Sequence, residues 1–410
     1  MRENYEAIAY LRSPAAIRER CERIFTLACE GKLRYFRPRL SRLEDVAGWV
    51  IQVIYGQYPD LNIPFHSRWR HFEVGDVPRT AGLDGALAGL SAVERAQVKF
   101  DLAMVSVLLD AGAGADWQYC EQETGLVYRR SEGLAVASFR MFCNGTFSSN
   151  SEMPVRADAG GLQGLTEPAL AQGFQVSQSN PLVGAAGRLE LLQRLGQALQ
   201  THPEIFGEDS PRPGNLVNYL LGKAREGKLE AKAVLKAVLE GLGEIWPGRF
   251  AIAGVNLGDV WPHPALRGES PGAEYVPFHK LSQWLTYSLL EPLEELGLEI
   301  TGLDELTGLP EYRNGGLCLD LGLLEVKEPA VLQARHLPGS EIIVEWRALT
   351  VSLLDRLAEA IRKQLGASPE ALPLVKILQG GTWSAGRKIA GELRAGGAPP
   401  IQIESDGTVF

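Results

Sequence analysis

Residues 93–109 have the sequence VERAQVKFDLAMVSVLL, and this stretch decides the fold class more clearly than any other. It begins amphipathic and then becomes apolar on nearly every face, which is typical of a helix that enters a protein core. It ends at Asp110 and is followed by AGAGA. The stretch therefore predicts a buried helix over 94–109 within a helical fold.

Helical spacing recurs on both sides of this stretch. Upstream, Ser13 is a good cap and Pro14 suits the first position of a helix that ends by Gly31. Further helices are predicted at 187–199, 215–222, 229–242, 277–297 and 341–365 and from Ser384 onward. Strand signals are few, at 249–257 and in the tail PIQIES, and 133–142 fits either a strand or a buried helix. The fold class predicted is mainly α with minor β (α+β), not an alternating βα fold.

Length and charge narrow the class of protein. At about 150 residues per domain, 410 residues suggest two or three domains or one large one, and the helical pattern favours one large helical domain over 1–410. Two lobes with a cleft, about 1–210 and 211–410, are the other form of this prediction. The net charge of -9 argues against a protein that binds duplex nucleic acid by neutralising phosphates.

Cysteine usage and hydropathy indicate the compartment. The chain has five cysteines with no C-x-x-C pair, which fits reduced, inert thiols better than a disulfide framework. No run approaches the roughly 18 apolar residues of a membrane span, and the first residues lack a signal pattern. We expect a cytoplasmic protein without a membrane partner, and the sequence does not decide between a monomer and a homo-oligomer.

Standard catalytic motifs are missing from the sequence, with one near miss. The segment GTWSAGRK has the glycine spacing of a Walker A motif, but Arg387 and Lys388 stand where Lys and Ser/Thr belong. Gly380, Gly381 and the amides that open the next helix could still hold one phosphate group. The alternative is a tight glycine turn before a C-terminal helix.

Residues 64–72, PFHSRWRHF, form the densest polar and aromatic cluster. Arginine forks bind phosphate and aromatic faces suit planar ligands, so Phe65, His66, Arg68 and Trp69 are candidate ligand-binding residues. An aromatic loop packed on the core, with its arginines in solvent, explains the same residues. Metal binding by His66 and His71 is disfavoured, because their spacing does not place them on one helical face.

Asp110 needs compensation, since a carboxylate at a helix C-terminus opposes the helix dipole. It either pairs with a buried arginine or faces a polar substrate pocket.

The stretch 276–324 holds the candidate catalytic residues. His279, Lys280 and Gln283 open an otherwise apolar helix, and the following turn carries Asp304, Glu305, Glu311 and Arg313. If the turn folds back over the start of the helix, Lys280 and a carboxylate meet, and the lysine lowers the pKa of that carboxylate. Ordinary solvated surface charges are the alternative.

Several long motifs resemble the uracil catabolism protein 4 family, formerly a domain of unknown function. They are IPFHSRWRHFEVG, VSVLLDAGAGADW, VPFHKLSQWLTYSLLEPLEELG, LTGLPEYRNGGL, VEWRALTVSLLD, GGTWSAGRKIA and IESDGTVF. This resemblance covers nearly the whole chain and implies a role in a route that degrades uracil through its nucleotide and releases urea.

A more distant resemblance concerns the chemistry. The order of motifs is similar to that of queuosine-phosphate N-glycosidases, which in turn resemble helix-hairpin-helix DNA glycosylases, and it implies a glycosylase-like helical domain with small strands. In that family a Lys-Arg-Ala-Gln helix start precedes an Asp-Tyr-Arg segment and a later Glu-x-Arg. The matching positions here are Lys280 and Gln283, then Glu311, Tyr312 and Arg313, then Glu345 and Arg347. Glu311 replaces an aspartate, so its carboxylate reaches one methylene further.

Together these observations predict an enzyme that hydrolyses the N-glycosidic bond of ribosylurea 5'-phosphate. Glu311 would stabilise the developing cation and activate water, and Lys280 would orient it or assist the leaving group; a Schiff base from Lys280 is the alternative. Arg68, Arg313 or the Gly380–Gly381 turn would hold the phosphate, while Phe65, Trp69 and Trp117 would close over the ureido group. We expect no cofactor, no bound metal and no nucleic acid partner.

Two other classes of function remain open on the sequence. A metal-dependent amidohydrolase of a ureido intermediate could use His66, His71, His263 or His279 with Asp110 or Asp320. A non-catalytic regulator of the pathway would bind nucleotide without turnover.

Overall fold

A computed structural model describes residues 2–268 and 270–404. Within these residues the α-helices are Arg2–Leu11 (α1), Pro14–Cys29 (α2), Leu43–Gln57 (α3), Arg68–Phe72 (α4), Arg79–Ala86 (α5), Ala92–Leu108 (α6), Arg130–Cys143 (α7), Ala159–Gln163 (α8), Glu167–Gly173 (α9), Ala185–Thr201 (α10), Pro203–Phe206 (α11), Leu216–Leu221 (α12), Ala231–Gly241 (α13), Lys280–Glu295 (α14), Tyr312–Asp320 (α15), Glu341–Leu365 (α16), Leu374–Ile377 (α17) and Trp383–Leu393 (α18).

The strands are short and form two-stranded sheets. They are Phe36–Pro38 (β1), Tyr119–Cys120 (β2), Val127–Tyr128 (β3), Lys228–Glu230 (β4), Ala251–Ile252 (β5), Val255–Asn256 (β6), Val260–Pro262 (β7), Tyr275–Pro277 (β8), Glu299–Thr301 (β9), Leu324–Val326 (β10), Arg335–His336 (β11) and Gln402–Ile403 (β12). The pairs β4–β9 and β11–β12 are parallel, and β1–β10, β2–β3, β5–β6 and β7–β8 are antiparallel.

These elements confirm the predicted fold class. Helices account for 55% of the residues and strands for 8%, so the chain is mainly helical with small sheets only. The tail motif IESDGTVF continues into residues 405–410, which lie outside the described residues.

The chain divides into two compact units that alternate along the sequence. Among the described residues, unit 1 comprises 2–66, 249–268, 270–283 and 302–404, and unit 2 comprises 67–248 and 284–301. Helix α14 contributes its first turn to unit 1 and the remainder to unit 2. The number of independently folding domains, and the two contiguous lobes at about 1–210 and 211–410, stay predictions.

The long helix α16 organises the core of unit 1. It packs against α2, α3 and α15, and its apolar face is wholly buried. Helix α2 begins as predicted, because the Ser13 side chain accepts a hydrogen bond from the Ala16 amide and Pro14 occupies the first turn. Helix α16 spans the predicted range.

Helix α6 organises the core of unit 2. Ser91 and Glu94 form a reciprocal capping box at its start, and the second half of the helix is buried on every side. It packs against α7, so the ambiguous segment 133–142 is part of a helix. The predicted buried helix over 94–109 is therefore present.

Two local predictions are wrong. Pro277 belongs to strand β8, and the following helix begins at Lys280. The QGGTW segment is not a tight glycine turn: residues Leu378–Thr382 form one π-helical turn, continuous with α17 and α18. Gly380 and Gly381 are buried there against side chains of Tyr58, Ile63, Val50 and Ile54, so close packing explains these glycines.

No helix among the described residues combines the length and the apolar character needed to cross a membrane.

The cysteines are free thiols. Cys21 and Cys318 are buried, whereas Cys29 and Cys120 are exposed. The expectation of inert core thiols is therefore wrong for the exposed pair.

Candidate functional site

Lys280 stands at the first position of α14, and a distant carboxylate fixes the start of that helix. The Lys280 amide donates to Asp259 Oδ2 at 3.0 Å. Arg347 on α16 donates to both Asp259 oxygens, each at 2.7 Å, and the Trp261 indole donates to Oδ1 at 2.7 Å. Asp259 thus joins α14 to α16 and sets the position of the Lys280 backbone.

The ion pair between Asp259 and Arg347 is buried. Burial opposes ionisation of the Asp259 carboxyl, but the Arg347 charge and the hydrogen bonds outweigh burial and hold its pKa well below the ordinary range. Arg347 also lies over the Phe278 ring, 4.1 Å from its centroid. Arg347, a predicted substrate-binding residue, therefore positions the helix start in this structure.

The segment after α14 folds back over the start of the helix, as the sequence hypothesis required. The Gln283 side chain donates to Thr307 Oγ1 at 2.8 Å and accepts from the Thr307 amide at 2.9 Å. Both residues are buried. Gln283 is thus a brace between α14 and the segment that leads to Glu311.

Glu311 caps helix α15. Its Oε2 accepts from the Arg313 amide at 2.7 Å and its Oε1 from the Asn314 amide at 2.6 Å. Burial raises the pKa of the Glu311 carboxyl, whereas the two amides and the Lys280 charge act in the opposite direction. Glu311 and Lys280 are both partly exposed residues.

Three further predicted residues of unit 1 make contacts within the protein. The His279 Nε2 atom bonds to the Leu11 carbonyl at 2.9 Å. The His66 Nδ1 atom bonds to Gln379 Oε1 at 2.9 Å, and the imidazole lies 5.7 Å from the Trp383 ring. Phe65 is buried. These contacts give the three side chains a structural role in packing.

Tyr312 and Arg313 follow Glu311 directly. The Arg313 guanidinium lies 5.0 Å from the centroid of the Tyr312 ring and donates to the Gly397 carbonyl at 2.8 Å. A guanidinium has five donor hydrogens, so this hydrogen bond does not exhaust its capacity.

Arg68 and Asp110 form a buried ion pair in unit 2, with Nη1 and Oδ2 3.2 Å apart. Arg68 Nε donates to Ser106 Oγ at 2.7 Å, and the guanidinium lies over the Trp284 ring at 5.4 Å. The buried arginine expected for Asp110 is therefore Arg68. Because the Asp110 carboxylate already balances the charge of Arg68 and would repel a phosphate, we do not retain Arg68 as the phosphate ligand.

Trp69 and Trp117 are core residues of unit 2. The Trp117 side chain is wholly buried and its indole donates to the Phe174 carbonyl at 2.9 Å. The Trp69 indole donates to the Ser288 carbonyl at 2.7 Å. Neither ring is placed to close over a ligand, so we do not retain them for the ureido group.

Gly380 and Gly381 are not retained as a phosphate site either. Their amides lie inside a continuous helical run rather than at a helix N-terminus, where free amides would face an anion.

Asp320 is paired with Arg394, with oxygen-to-nitrogen distances of 2.8 and 2.5 Å.

Glu345 faces inward from the second turn of α16. Its Oε1 accepts from the Phe36 amide at 2.8 Å and the Tyr35 amide at 3.2 Å, and burial raises its pKa to about 7. His263 lies beside it, with its Nε2 3.9 Å from Glu345 Oε2.

Sequence reasoning missed Asp259, which joins Lys280 to Arg347. It lies in the short segment Gly258-Asp259-Val260, which has no recognisable motif and no helical period. Only the long-range contact with α16 reveals its role.

Comparison with known proteins places this chain in a family. Residues 10–410 match the family model described as "Protein of unknown function (DUF1688)". "Uracil catabolism protein 4" of Lachancea kluyveri is 39% identical over 438 residues, which cover 98% of this chain and 99% of the relative. "Protein urg3" of Schizosaccharomyces pombe is 41% identical over 417 residues, which cover 99% of both chains. The chain therefore belongs to the DUF1688 family.

Proposed function

We propose that this protein acts in uracil catabolism as an N-glycosidase that hydrolyses ribosylurea 5'-phosphate to urea and ribose 5-phosphate. The name of the Lachancea kluyveri relative supports the pathway. The observation that carries the reaction is the Glu311 carboxylate, which caps a helix N-terminus and lies close enough to Lys280 for the lysine charge to oppose the rise that burial causes in its pKa.

The proposed reaction breaks the bond between the anomeric carbon and the ureido nitrogen. The bonding electrons leave with nitrogen, and the sugar passes through an oxocarbenium-like state. The Glu311 carboxylate stabilises that cation and accepts a proton from the water that adds to the anomeric carbon. The Lys280 ammonium donates a proton to the departing nitrogen, so urea leaves as a neutral molecule.

The surroundings of the two residues suit these roles. Two backbone amides fix the Glu311 oxygens, and the positive end of the α15 dipole favours the anionic form. The Asp259–Arg347 pair and the Gln283–Thr307 brace fix the backbone on either side. A preorganised carboxylate needs little rearrangement when charge develops on the sugar.

We assign the 5'-phosphate to Arg313. It is two residues from Glu311, and its guanidinium has donors beyond the one that bonds to Gly397.

Urea release by purified protein tests the proposal. We expect Glu311→Gln and Lys280→Ala to lower the rate by roughly 10²- to 10⁴-fold, the usual contribution of a general acid or base. Lys363→Ala is the matched control, because the Lys363 side chain is 78% exposed and lies on α16.

Glu311→Asp is a second variant that separates a loss of activity from a loss of folding in Glu311→Gln. Aspartate keeps a carboxylate cap on α15 but retracts it by one methylene, so we expect native melting behaviour with a reduced rate. Full activity in both Glu311→Gln and Lys280→Ala would remove these residues from the mechanism.

A further inference from the structure

Three side chains with metal-ligating atoms converge in unit 1, and none of them belongs to the proposed catalytic pair. His263 follows strand β7, and Glu341 and Glu345 occupy the first two turns of α16. One ligand atom from each lies within 4.8 Å of the other two. The glutamates are four residues apart on a helix, so they share one face.

Two of these side chains are buried and have facing polar atoms without hydrogen-bond partners among the described residues. His263 is 1% exposed and Glu345 is 0% exposed. Two backbone amides bind Glu345 Oε1, whereas Oε2 accepts no hydrogen bond and lies 3.9 Å from the unpaired His263 Nε2. Buried polar atoms are normally satisfied, so this arrangement indicates a ligand that both atoms contact.

The distances suit a metal ion. Metal bonds to imidazole nitrogen and carboxylate oxygen are about 2.0–2.2 Å long, so two such ligands stand roughly 3.3–4.4 Å apart. The separation of His263 and Glu345 falls in this range without movement. Glu341 is partly exposed, so its side chain is free to close the longer gap.

The Tyr35 and Phe36 amides provide the outer support that metal-ligating carboxylates commonly have. The Ala265 amide donates to His263 Nδ1 at 3.2 Å, so metal binding at Nε2 must move the imidazole proton to Nδ1 and give up that hydrogen bond. One backbone hydrogen bond is a small loss beside coordination of a metal by three side chains.

The charges are also complementary to a divalent cation. Among the residues that the structure describes, only His263 lies within ion-pair distance of Glu345, and Glu341 has no ion pair. The nearby Lys327 ammonium donates to the Leu33 carbonyl. Two carboxylates and one neutral imidazole therefore lack a strong cation partner.

We propose that His263, Glu341 and Glu345 bind one divalent transition-metal ion, with zinc and manganese as the ions of matching ligand preference. The ion joins the loop after β7 to the start of α16. Because the Tyr35 and Phe36 amides bind Glu345 Oε1, the ion also links this site to the Tyr35–Phe36 segment. Its site is distinct in residues from the proposed glycosidase pair.

Metal titration of the full chain, purified without a histidine tag and stripped with a chelator, tests this site. The Cys29→Ser/Cys120→Ser background removes exposed thiols that would bind zinc adventitiously. We expect isothermal titration to give one Zn²⁺ or Mn²⁺ per chain and the ion to raise the melting temperature. His263→Ala and Glu345→Gln should each weaken affinity at least tenfold and abolish the melting shift.

Glu359→Gln is the matched control, since Glu359 is an exposed glutamate on the same helix. Unchanged affinity in this control supports the assignment. Failure of both ions to bind, or wild-type affinity in His263→Ala and Glu345→Gln, would overturn it. If both variants fail to fold, Glu341→Gln decides: loss of affinity supports the site, and wild-type affinity refutes it.

Discussion

At the residue scale, Arg313 carries the clearest prediction about specificity. If its guanidinium binds the 5'-phosphate, Arg313→Gln should lower the preference for ribosylurea 5'-phosphate over unphosphorylated ribosylurea. A charge-assisted contact contributes about 1.5–3 kcal/mol, which corresponds to roughly a tenfold to hundredfold change in the ratio of kcat/KM values. Steady-state kinetics with both substrates measures this ratio.

Arg387→Gln serves as the control for that measurement. Arg387 is an exposed arginine in unit 1, so this substitution should leave the substrate preference unchanged. An unaltered preference in Arg313→Gln would show that another group binds the phosphate.

Individual residues also show which parts of the candidate site could be predicted from the sequence. The resemblance supplied Lys280 and Glu311 as candidates; burial raises the pKa of the Glu311 carboxyl, and the Lys280 charge opposes that rise. The sequence could not supply Asp259, whose role depends on a contact with Arg347, 88 residues away in the chain. It also could not separate ligand-binding aromatics from core aromatics, because Trp117 differs from a surface tryptophan only in its burial.

At the scale of elements, the packing of α18 against α15 explains a glycine motif. A Cβ atom on Gly386 would lie 2.1 Å from the Arg313 carbonyl oxygen, whereas a Cβ on Gly391 of the same helix meets nothing within 4 Å. Gly386→Ala should therefore destabilise the protein by about 1–3 kcal/mol or more. Gly391→Ala should stabilise it by up to about 1 kcal/mol through helix propensity.

Guanidinium chloride unfolding of both variants measures these changes. Equal stabilities would contradict the close approach of α18 to α15. The pair matters for the site because α15 carries Glu311 at its cap, so we also expect Gly386→Ala to reduce the rate of urea release.

Elements with strong local signals were predicted correctly, and those set by long-range contacts were not. Ser13, Pro14 and helical periodicity determine α2, and a long amphipathic pattern determines α16. The Gly380–Gly381 segment has the composition of a turn, yet it is helical because glycine allows close approach to Val50 and Ile63. Glycine composition alone does not distinguish a turn from a tightly packed helix.

At the scale of the whole molecule, a buried neutral histidine should make stability depend on pH. Burial, with the nearby Arg68 charge, lowers the pKa of His71 to about 4. The unfolded chain takes up a proton near pH 6.5 but the folded chain does not, so His71 contributes stability at neutral pH that is lost as pH falls from 6.5 toward 4.

The expected loss from His71 between pH 6.5 and pH 5 is about 2 kcal/mol in the free energy of unfolding. His71→Gln should flatten the acid side of the stability profile by this amount. His202→Gln, at a less buried histidine, is the comparison variant. A profile for His71→Gln as steep as that of the natural sequence would contradict the neutral burial of His71.

The net charge of -9 belongs to the same scale. A phosphorylated substrate must be attracted by local cations against the charge of the whole molecule, which gives Lys280 and Arg313 their importance in the proposed site. The same acidic balance agrees with a glycosylase-like reaction on a small molecule rather than on duplex DNA.

The fate of the ureido carbon tests the proposed reaction most directly. Ribosylurea 5'-phosphate labelled with ¹³C at that carbon is incubated with the purified protein, and the products are followed by ¹³C NMR together with an ammonia assay. Cleavage of the glycosidic bond predicts that all the label appears in urea, in step with ribose 5-phosphate and without ammonia. Label in carbamate or bicarbonate, accompanied by ammonia, would show attack on the ureido carbon and contradict the glycosidase account.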